Sequence, residues 1–243
     1  MARQFFVNSD DMIQDKSGII CISSSEAKHI QVLRHNVGDY IKVNGSIYEI
    51  VKMTSKDVYV KFVEKKENDS HSSINAIVYM AMLKNEMMEL AVKKAVELGA
   101  NEIIPFYSKN VVVKLDKEKE DKKYEKLNKI IIEAVKQCGR DDIPKLSSFK
   151  KLSEIDFSLN DVNFLAYEKE SSTFKDAIYE VKGRNITSVG IIVGPEGGFE
   201  SEEVNNIMKN ENVKSVSLGS RILRAETATM NMLSIVLYEF EKR

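Results

Sequence analysis

The sequence predicts a chain of two parts, a small β-rich domain followed by a larger α/β domain with a mainly parallel sheet. Short β-branched runs, which are typical of strands, fill the first part up to about Glu67. The polar stretch 65–73 has no apolar periodicity and is interpreted as a linker. From Ile74 onward, apolar runs alternate with amphipathic segments, which is the pattern of an α/β fold.

The elements of the first part follow from local patterns. Strands are predicted at 18–22, 40–43, 46–53 and 58–63. Asn44-Gly45 is a hairpin turn signal, because both residue types tolerate a positive φ. One helix is predicted at 24–33, where apolar residues repeat at helical spacing after capping serines. These elements predict a small β-barrel with one helical insertion.

The second part is read in the same way. Strands are predicted at 74–82, 102–107, 162–167, 188–193 and 213–218, and helices at 86–98, 121–138, 201–209 and 225–240. Gly99 and Gly139 stand where a left-handed residue closes a helix, and Ser201 is placed to cap the helix that it begins. The alternation predicts a sheet of mainly parallel strands covered by helices.

Composition limits the classes of function. The 243 residues carry 36 Lys and Arg against 37 Asp and Glu, so the net charge is -1. This excludes the whole-chain basic field of histone-like proteins, and any RNA contact must be a local patch. The sequence shows no long apolar segment or leader pattern, which predicts a cytoplasmic protein without a membrane span. Cys21 and Cys138 lie far apart without a nearby His cluster, which predicts buried free thiols and no metal site.

Two loops are the first candidates for a site, because open parallel sheets bind ligands beyond the carboxyl ends of their strands. The loop 194–199 reads Gly-Pro-Glu-Gly-Gly-Phe, and its glycines let the backbone approach a ligand closely. Neither a Gly-Lys-Ser/Thr nor a G-x-G-x-x-G pattern is present, which argues against a phosphate loop. A tight turn without a ligand is the alternative.

The second loop, 218–228, reads Leu-Gly-Ser-Arg-Ile-Leu-Arg-Ala-Glu-Thr-Ala and enters the last helix. The helix dipole favours Glu226 at that start and disfavours Arg224, so an anionic partner explains Arg224 better. An internal ion pair between the two is the alternative.

A third segment, 133–140, ends on Arg140 just beyond a helix, where dipole complementation is the ordinary interpretation. The lysine-rich stretch 114–150 is a solvated face by default and a candidate for holding phosphate.

Together these motifs resemble the ribosomal RNA small subunit methyltransferase E family (RsmE). The match includes Gly194-Pro-Glu-Gly-Gly-Phe199, Leu218-Gly-Ser-Arg-Ile-Leu-Arg-Ala-Glu-Thr-Ala228 and Glu133-Ala-Val-Lys-Gln-Cys-Gly-Arg140. It continues through Lys94-Ala-Val-Glu-Leu-Gly99 with Ile104-Pro105, Arg3-Gln-Phe-Phe6, and His29-Ile-Gln-Val-Leu-Arg34 with Gly38-Asp39. The resemblance covers nearly the whole chain. Gln4 is a mild departure, since the family often has an aromatic residue there.

The resemblance implies a SPOUT-class methyltransferase, with a PUA-like β-barrel for RNA binding at 1–70 and an α/β trefoil-knot domain at 74–243. It implies S-adenosyl-L-methionine as the cofactor and a homodimer without metal or membrane attachment. The implied reaction is methylation of N3 of a specific uridine of 16S rRNA in the assembled small ribosomal subunit. A methyltransferase of the same fold for another RNA and a non-catalytic RNA-binding assembly factor are the alternatives.

The resemblance also implies roles for individual residues. Arg224 is expected to stabilise the uridine anion or hold its phosphate, and Glu226 or Glu196 to orient the base or accept its proton. The residues expected to hold the cofactor are Leu165, Ala166, Gly194, Pro195, Glu196, Gly197, Gly198, Leu218, Gly219, Ile222, Leu223, Thr227 and Ala228. The residues expected to contact RNA are Arg3, Arg34, Lys84, Arg140 and Arg221.

Overall fold

A computed structural model of the chain describes residues 4–7, 9–23, 25–65 and 72–242. The chain divides into two compact units, the first formed by Met1–His71 with Val135–Asp142 and the second by Ser72–Ala134 with Ile143–Arg243. The sequence did not indicate that Val135–Asp142 would group with the first unit. Arg3 and most of the predicted linker lie outside the described residues.

The first unit contains one six-stranded sheet. Its strands are β1 (Gln4–Phe5), β2 (Met12–Gln14), β3 (Ile19–Ile22), β4 (Tyr40–Val43), β5 (Ser46–Met53) and β6 (Val58–Lys65). The order is β1-β4-β5-β6-β3-β2, with β1 and β4 parallel and the other pairs antiparallel. The predicted hairpin between β4 and β5 is confirmed, because Asn44 and Gly45 have φ of 47° and 82°.

Alternation along the strands builds the core of this unit. Ile41 and Val43 of β4, Ile50 of β5 and Val60 of β6 are fully buried, so every second residue of these segments faces inward. The predicted helix is present as α1 (Ser25–Val32), and it packs Ala27 into the same core.

The segment 135–142 is held to the rest of the first unit by charge pairs. Lys136 Nζ lies 2.6 Å from Glu26 Oε1. Lys42 on β4 forms a second ion pair with Asp141, and both side chains are largely buried. A buried pair of this kind is costly to break, because the remaining charge loses its partner.

The second unit contains a seven-stranded parallel sheet. Its strands are β7 (Asn75–Ala81), β8 (Glu102–Tyr107), β9 (Lys145–Leu146), β10 (Lys150–Lys151), β11 (Val162–Ala166), β12 (Ser188–Val193) and β13 (Val213–Val216). The order is β10-β8-β7-β12-β11-β13, and β9 also pairs with β8. All of these pairings are parallel, which confirms the prediction of an α/β fold.

Five helices accompany these strands in the described residues. They are α2 (Asn85–Leu98), α3 (Lys117–Cys138), α4 (Phe174–Val181), α5 (Ser201–Ile207) and α6 (Ala225–Phe240). The last turn of α3 is grouped with the first unit. Gly99 closes α2 with φ of 112° and Gly139 follows α3 with φ of 80°, so both predicted left-handed positions are confirmed.

Three predictions about the helices need correction. α4 was missed, although its buried residues recur at helical spacing and Thr173 and Asp176 form a capping box at its start. α3 begins four residues before 121, because 117–120 are all charged and carry no apolar signal. The N-cap of α5 is Glu200 and not Ser201, which is already helical.

No helix in the described part of the chain is long and apolar enough to cross a membrane. Cys21 and Cys138 are free, as predicted, but they are not buried, since Cys21 is half-buried and Cys138 is exposed. Cys138 is exposed because it occupies the last position of α3, next to the Gly139 cap.

Candidate active site

The parallel sheet brings three loops to one edge. Ala166 at the end of β11 pairs with Val216 at the end of β13, and Leu165 pairs with Ile192 near the end of β12. The loops that follow these strands therefore leave the sheet side by side. Met80 of β7 pairs with Val193, so the short connection from β7 to α2 leaves from the same edge.

The loop 194–199 is a tight turn whose glycines have structural reasons. The Gly198 amide donates to the Pro195 carbonyl at 2.9 Å, and Gly198 has φ of 71°. A Cβ on Gly194 would stand 2.8 Å from the ring of Phe199, which is buried and stacks on Phe106. The loop is therefore a tight turn, a geometry that both the ligand site and the turn without a ligand share.

Glu196 joins this loop to the start of α2. Its Oε1 accepts a hydrogen bond from the Lys84 backbone amide at 3.2 Å. Lys84 is the N-cap of α2 and makes no side-chain capping bond. The Glu196 carboxylate therefore satisfies a free amide at a helix start, where negative charge is favoured. This contact gives Glu196 a positioning role.

Asn110, in the loop after β8, was not predicted and also holds the turn. Its Nδ2 donates to the Gly198 carbonyl at 3.2 Å and to Glu200 Oε1 at 2.9 Å. A Cβ on Gly197 would lie 3.1 Å from the Cβ of Asn110, so the two loops are in close contact. The rule that pointed to the other loops also points here, because β8 is a neighbour in the same parallel sheet.

The loop 217–224 is anchored at its start. Thr173 and Ser217 form an isolated parallel bridge, and the Ser217 amide donates to the Ser172 carbonyl at 2.8 Å. The Phe174 amide in turn donates to the Ser217 carbonyl at 3.2 Å. The first residue of this loop is thus paired like a strand.

Beyond Ser217 the loop is open. Among the described residues, one hydrogen bond is made by an amide of 218–224, from Gly219 to Ser217 Oγ at 3.4 Å. Gly219 has φ of 108°, with nothing within 4 Å of where a Cβ would stand, and Ile222 is 89% exposed. Unused amides beside an exposed apolar side chain suit a flat ligand with hydrogen-bond acceptors.

The charged residues at the start of α6 are separate. Arg224 is the N-cap residue, with its carbonyl accepting the Ala228 amide at 2.8 Å, and its side chain is exposed. No ion pair joins Arg224 to Glu226 in the described structure, so the ion-pair alternative is wrong. Glu226 lies in the first turn of α6 and is only 6% exposed.

Acidic residues that the sequence analysis did not single out lie at the same edge. Glu170 accepts hydrogen bonds from the amides of Ser171 and Ser172 at 2.8 and 3.1 Å and from the Ser215 hydroxyl. The Ser215 hydrogen bond is the main cause that lowers the pKa of Glu170, which keeps it ionised. A Cβ on Gly198 would lie 3.4 Å from Glu168 Oε1. The carboxylates of Glu168 and Glu170 therefore lie at the edge of the sheet from which these loops leave.

The other residues expected at the cofactor differ in accessibility. Leu165 is fully buried in the sheet, so a contact with the cofactor there would involve its backbone. Pro195 and Ala228 are also buried. Among the other residues expected to hold the cofactor, Thr227 is exposed, and the partly exposed ones are Ala166, Leu218 and Leu223.

The residues expected to contact RNA fall into different environments. Arg34 is exposed in the first unit, with φ of 60°, and Lys84 and Arg221 are exposed in the second. Arg140 corrects the prediction, because it is 8% exposed and donates from Nε and Nη2 to Asp142 at 3.2 and 2.5 Å. A guanidinium held in this way does not present its donors to a phosphate.

Comparisons with known proteins agree with this geometry. The family described as RNA methyltransferase domain matches residues 70–237. Ribosomal RNA small subunit methyltransferase E of Mesomycoplasma hyopneumoniae is 30% identical over 234 residues, covering 95% of this chain and 97% of the relative. The protein of the same name from Bacillus subtilis is 28% identical, covering 98% of this chain and 97% of the relative.

Solved structures give the same result. A Legionella pneumophila protein solved with bound SAM is 29% identical, with a TM-score of 0.82 and 98% of both chains covered. Ribosomal RNA small subunit methyltransferase E of Neisseria gonorrhoeae, at 19% identity and a TM-score of 0.81, shows the likeness of fold. The family match and the Mesomycoplasma relative show that the chain belongs to the ribosomal RNA small subunit methyltransferase E family of RNA methyltransferases.

Proposed function

We propose that this protein transfers a methyl group from S-adenosyl-L-methionine to N3 of a specific uridine of 16S rRNA in the assembled small ribosomal subunit. The observation that carries the proposal is the open loop 218–224, which leaves the parallel sheet at the same edge as the glycine turn 194–199. Family membership supports an rRNA substrate, and the relatives named for the small subunit support 16S rRNA.

The residues at this edge fit the cofactor. The free amides of 218–224 and the exposed Ile222 suit an adenine ring, which needs hydrogen-bond donors and an apolar contact. The neighbouring carboxylates of Glu168 and Glu170 suit a positively charged ligand rather than a phosphate. When bound, the cofactor supplies an electrophilic methyl group on a sulfonium. The Legionella pneumophila structure with bound SAM supports this assignment.

Arg224 is assigned to the uridine. Methylation of N3 requires loss of the imide proton, and the negative charge that results spreads to O2 and O4 of the base. The exposed guanidinium of Arg224 has no ion pair in the described structure and stands at the end of the open loop. It stabilises this charge or holds the uridine phosphate.

The two candidate acids have different surroundings. Glu196 is engaged by the Lys84 amide, and we assign it to holding the turn in place. Glu226 is buried in the first turn of α6, and its side chain makes no hydrogen bond or ion pair among the described residues. It is therefore our candidate for orienting the base or accepting its proton. Solvent is the alternative acceptor.

We further propose that the second unit is a SPOUT domain whose last segment forms a trefoil knot, and that the first unit is a PUA-like barrel that holds RNA. A homodimer in the cytoplasm completes the proposal. The parallel sheet, the mostly antiparallel first unit and the full-length likeness to the Legionella pneumophila protein support this architecture.

The test is methyl transfer from radiolabelled S-adenosyl-L-methionine to unmodified small ribosomal subunits, with naked 16S rRNA and large subunits as controls. We expect label on N3 of one uridine of 16S rRNA, and only in assembled subunits. Label on another RNA would show that this other RNA is the substrate and overturn the proposed one. Cofactor binding without transfer to any of these RNAs would identify a non-catalytic factor and overturn the proposed reaction.

A further inference from the structure

A second concave surface lies outside the proposed active site. It is a cavity of about 900 Å³ in the second unit, bounded by the end of β8, the segment 151–157 and helix α5. All of the residues that line it belong to that unit. We refer to it as the α5 cavity.

The carboxylates of the α5 cavity already have partners. Glu203 accepts the Lys109 amide at 2.8 Å and the Glu200 amide at 3.0 Å, one on each oxygen. Glu202 forms an ion pair with the Lys109 ammonium. Asp156 accepts the Ser158 amide at 2.9 Å and the hydroxyl of the same residue at 2.6 Å, which lowers its pKa. Each carboxylate of the lining therefore already has a hydrogen-bond or ion-pair partner.

Three lysines of the same lining form no ion pair among the described residues, although the charge of Lys209 acts on Glu202. Lys114 and Lys151 make no ion pair or side-chain hydrogen bond among the described residues, and Lys209 donates to the neutral Asn206 Oδ1 at 2.8 Å. Three ammonium groups around one cavity favour an anionic ligand, because each is a compact positive charge with free donors.

Part of the lining is apolar. It consists of Leu152, Ile155, Phe157 and Ile207. Ser108 also lines the cavity, is 9% exposed, and has a hydroxyl without a hydrogen-bond partner among the described residues. A buried hydroxyl is normally satisfied, so its state is consistent with a partner that binds there. The ligand should combine negative charge with a flat, partly apolar body.

We propose that the α5 cavity binds a single-stranded nucleotide segment of the RNA substrate, with Lys114, Lys151 and Lys209 contacting phosphates and the apolar part of the lining receiving a base. A nucleotide matches both features, since it carries one charge per phosphate and a base that packs on apolar or aromatic side chains. The inference rests on the proposed function only for the identity of the RNA.

The cavity is linked to the proposed active site by a short segment. Ser108 and Lys109 line the cavity, while Asn110, the next residue, donates to the Gly198 carbonyl in the turn 194–199. The cavity therefore offers the RNA a second contact beside the site that receives the target uridine, and Lys114 marks where the basic stretch predicted from the sequence would act.

The test compares two double variants of the full chain. Lys114→Gln/Lys151→Gln removes two charges from the cavity, and Lys93→Gln/Lys182→Gln removes two from exposed lysines outside both the cavity and the stretch 114–150. Binding of a fluorescent single-stranded RNA is measured by polarisation between about 50 and 200 mM salt. Cofactor affinity, which does not require the cavity, is measured by calorimetry.

We expect the cavity variant to bind RNA about tenfold more weakly, and its slope of log K against log salt to fall by about 1.4, at about 0.7 for each lost phosphate contact. Its cofactor affinity and kcat should be unchanged, with a raised KM for small ribosomal subunits. The control should bind RNA like the wild type.

The failure of this inference is distinct from the failure of the proposed function. Equal RNA affinity and salt slope in the cavity variant and the control would overturn the cavity as an RNA site, even with methyl transfer intact. A wild-type protein that transfers no methyl group, yet whose RNA binding depends on these two lysines, would keep the cavity and remove the reaction. Absence of any RNA binding by the wild type would also overturn the inference.

Discussion

The side chain of Asn110 donates a hydrogen bond to the carbonyl of Gly198 across 3.2 Å, which joins two loops that lie 88 residues apart in sequence. The same amide donates to Glu200 Oε1 at 2.9 Å. A glycine turn has few intrinsic constraints, because glycine adopts many backbone conformations. Asn110 therefore holds the turn 194–199 in place, and we propose that this turn contacts the cofactor.

We expect Asn110→Ala to weaken cofactor binding about fivefold, the effect of losing roughly one hydrogen bond. Asn110→Asp should be worse, because it replaces the donor by a negative charge facing Glu200 and a carbonyl. Titration calorimetry with S-adenosyl-L-methionine measures both, and Asn205→Ala, at an exposed position of α5, is the matched control. Equal affinities in Asn110→Asp and wild type would contradict this role.

Arg224→Lys tests the assignment of the uridine contact. We expect at least about a tenfold loss of turnover with nearly unchanged cofactor affinity, because an ammonium cannot reproduce the planar donor pattern of a guanidinium. Single-turnover methyl transfer and calorimetry measure the two quantities. Arg184→Lys is the control. Arg184 lies outside the two loops and donates to the Asp161 carbonyl, so this variant should retain wild-type turnover. Wild-type turnover in Arg224→Lys would remove the assignment.

Asp141→Asn tests the buried ion pair with Lys42. The substitution leaves the Lys42 ammonium largely buried without its counter-charge, so the free energy of unfolding should fall by about 3 kcal/mol. Urea unfolding followed by circular dichroism measures the change. The control Asp121→Asn removes an exposed pair with Lys117 and should hardly move the midpoint. Equal midpoints in the two variants would show that the buried pair contributes nothing.

Asp161 makes stability depend on pH. Its Oδ2 accepts the amides of Thr187 and Ser188 at 2.7 and 3.0 Å and the Thr187 hydroxyl at 2.9 Å, and these bonds, led by the Thr187 amide, hold its pKa below the ordinary value. Its charged form therefore stabilises the fold above about pH 4, and this contribution disappears as the pH falls through the folded-state pKa.

We expect wild type to exceed Asp161→Asn in the free energy of unfolding at pH 7, and the difference to shrink as the pH falls below about 4. Urea unfolding at several pH values measures this difference. A difference that stays constant over this range would mean that the charge of Asp161 has no part in it.

Local patterns predicted most of the elements. Gly99 and Gly139 end helices where predicted, and Asn44-Gly45 forms the predicted hairpin, because the φ preferences of these residues depend little on distant contacts. α4 was missed although the sequence contains its signal, since Phe174, Ala177, Ile178 and Val181 recur at helical spacing. The start of α3 was misplaced because a run of charges has no apolar face to detect.

The candidate site was predicted only in part. The two loops were found from their glycines and from an arginine at a helix start, and the family resemblance carried the remaining roles. Asn110, the Lys84 contact of Glu196 and the α5 cavity were not predicted. All three depend on residues that lie far apart in the chain. The local spacing of the sequence does not encode such contacts.

The sequence by itself determined the strand and helix alternation, the glycine turns and the family, because these depend on short-range patterns and on ordered motifs. Only the tertiary structure decided which charges are available. It buried Arg140, paired Asp141 with Lys42 and left Lys114 and Lys151 beside a cavity. The physical reason is that the use of a charge depends on its burial and its partner, and both are set by the packing of distant segments.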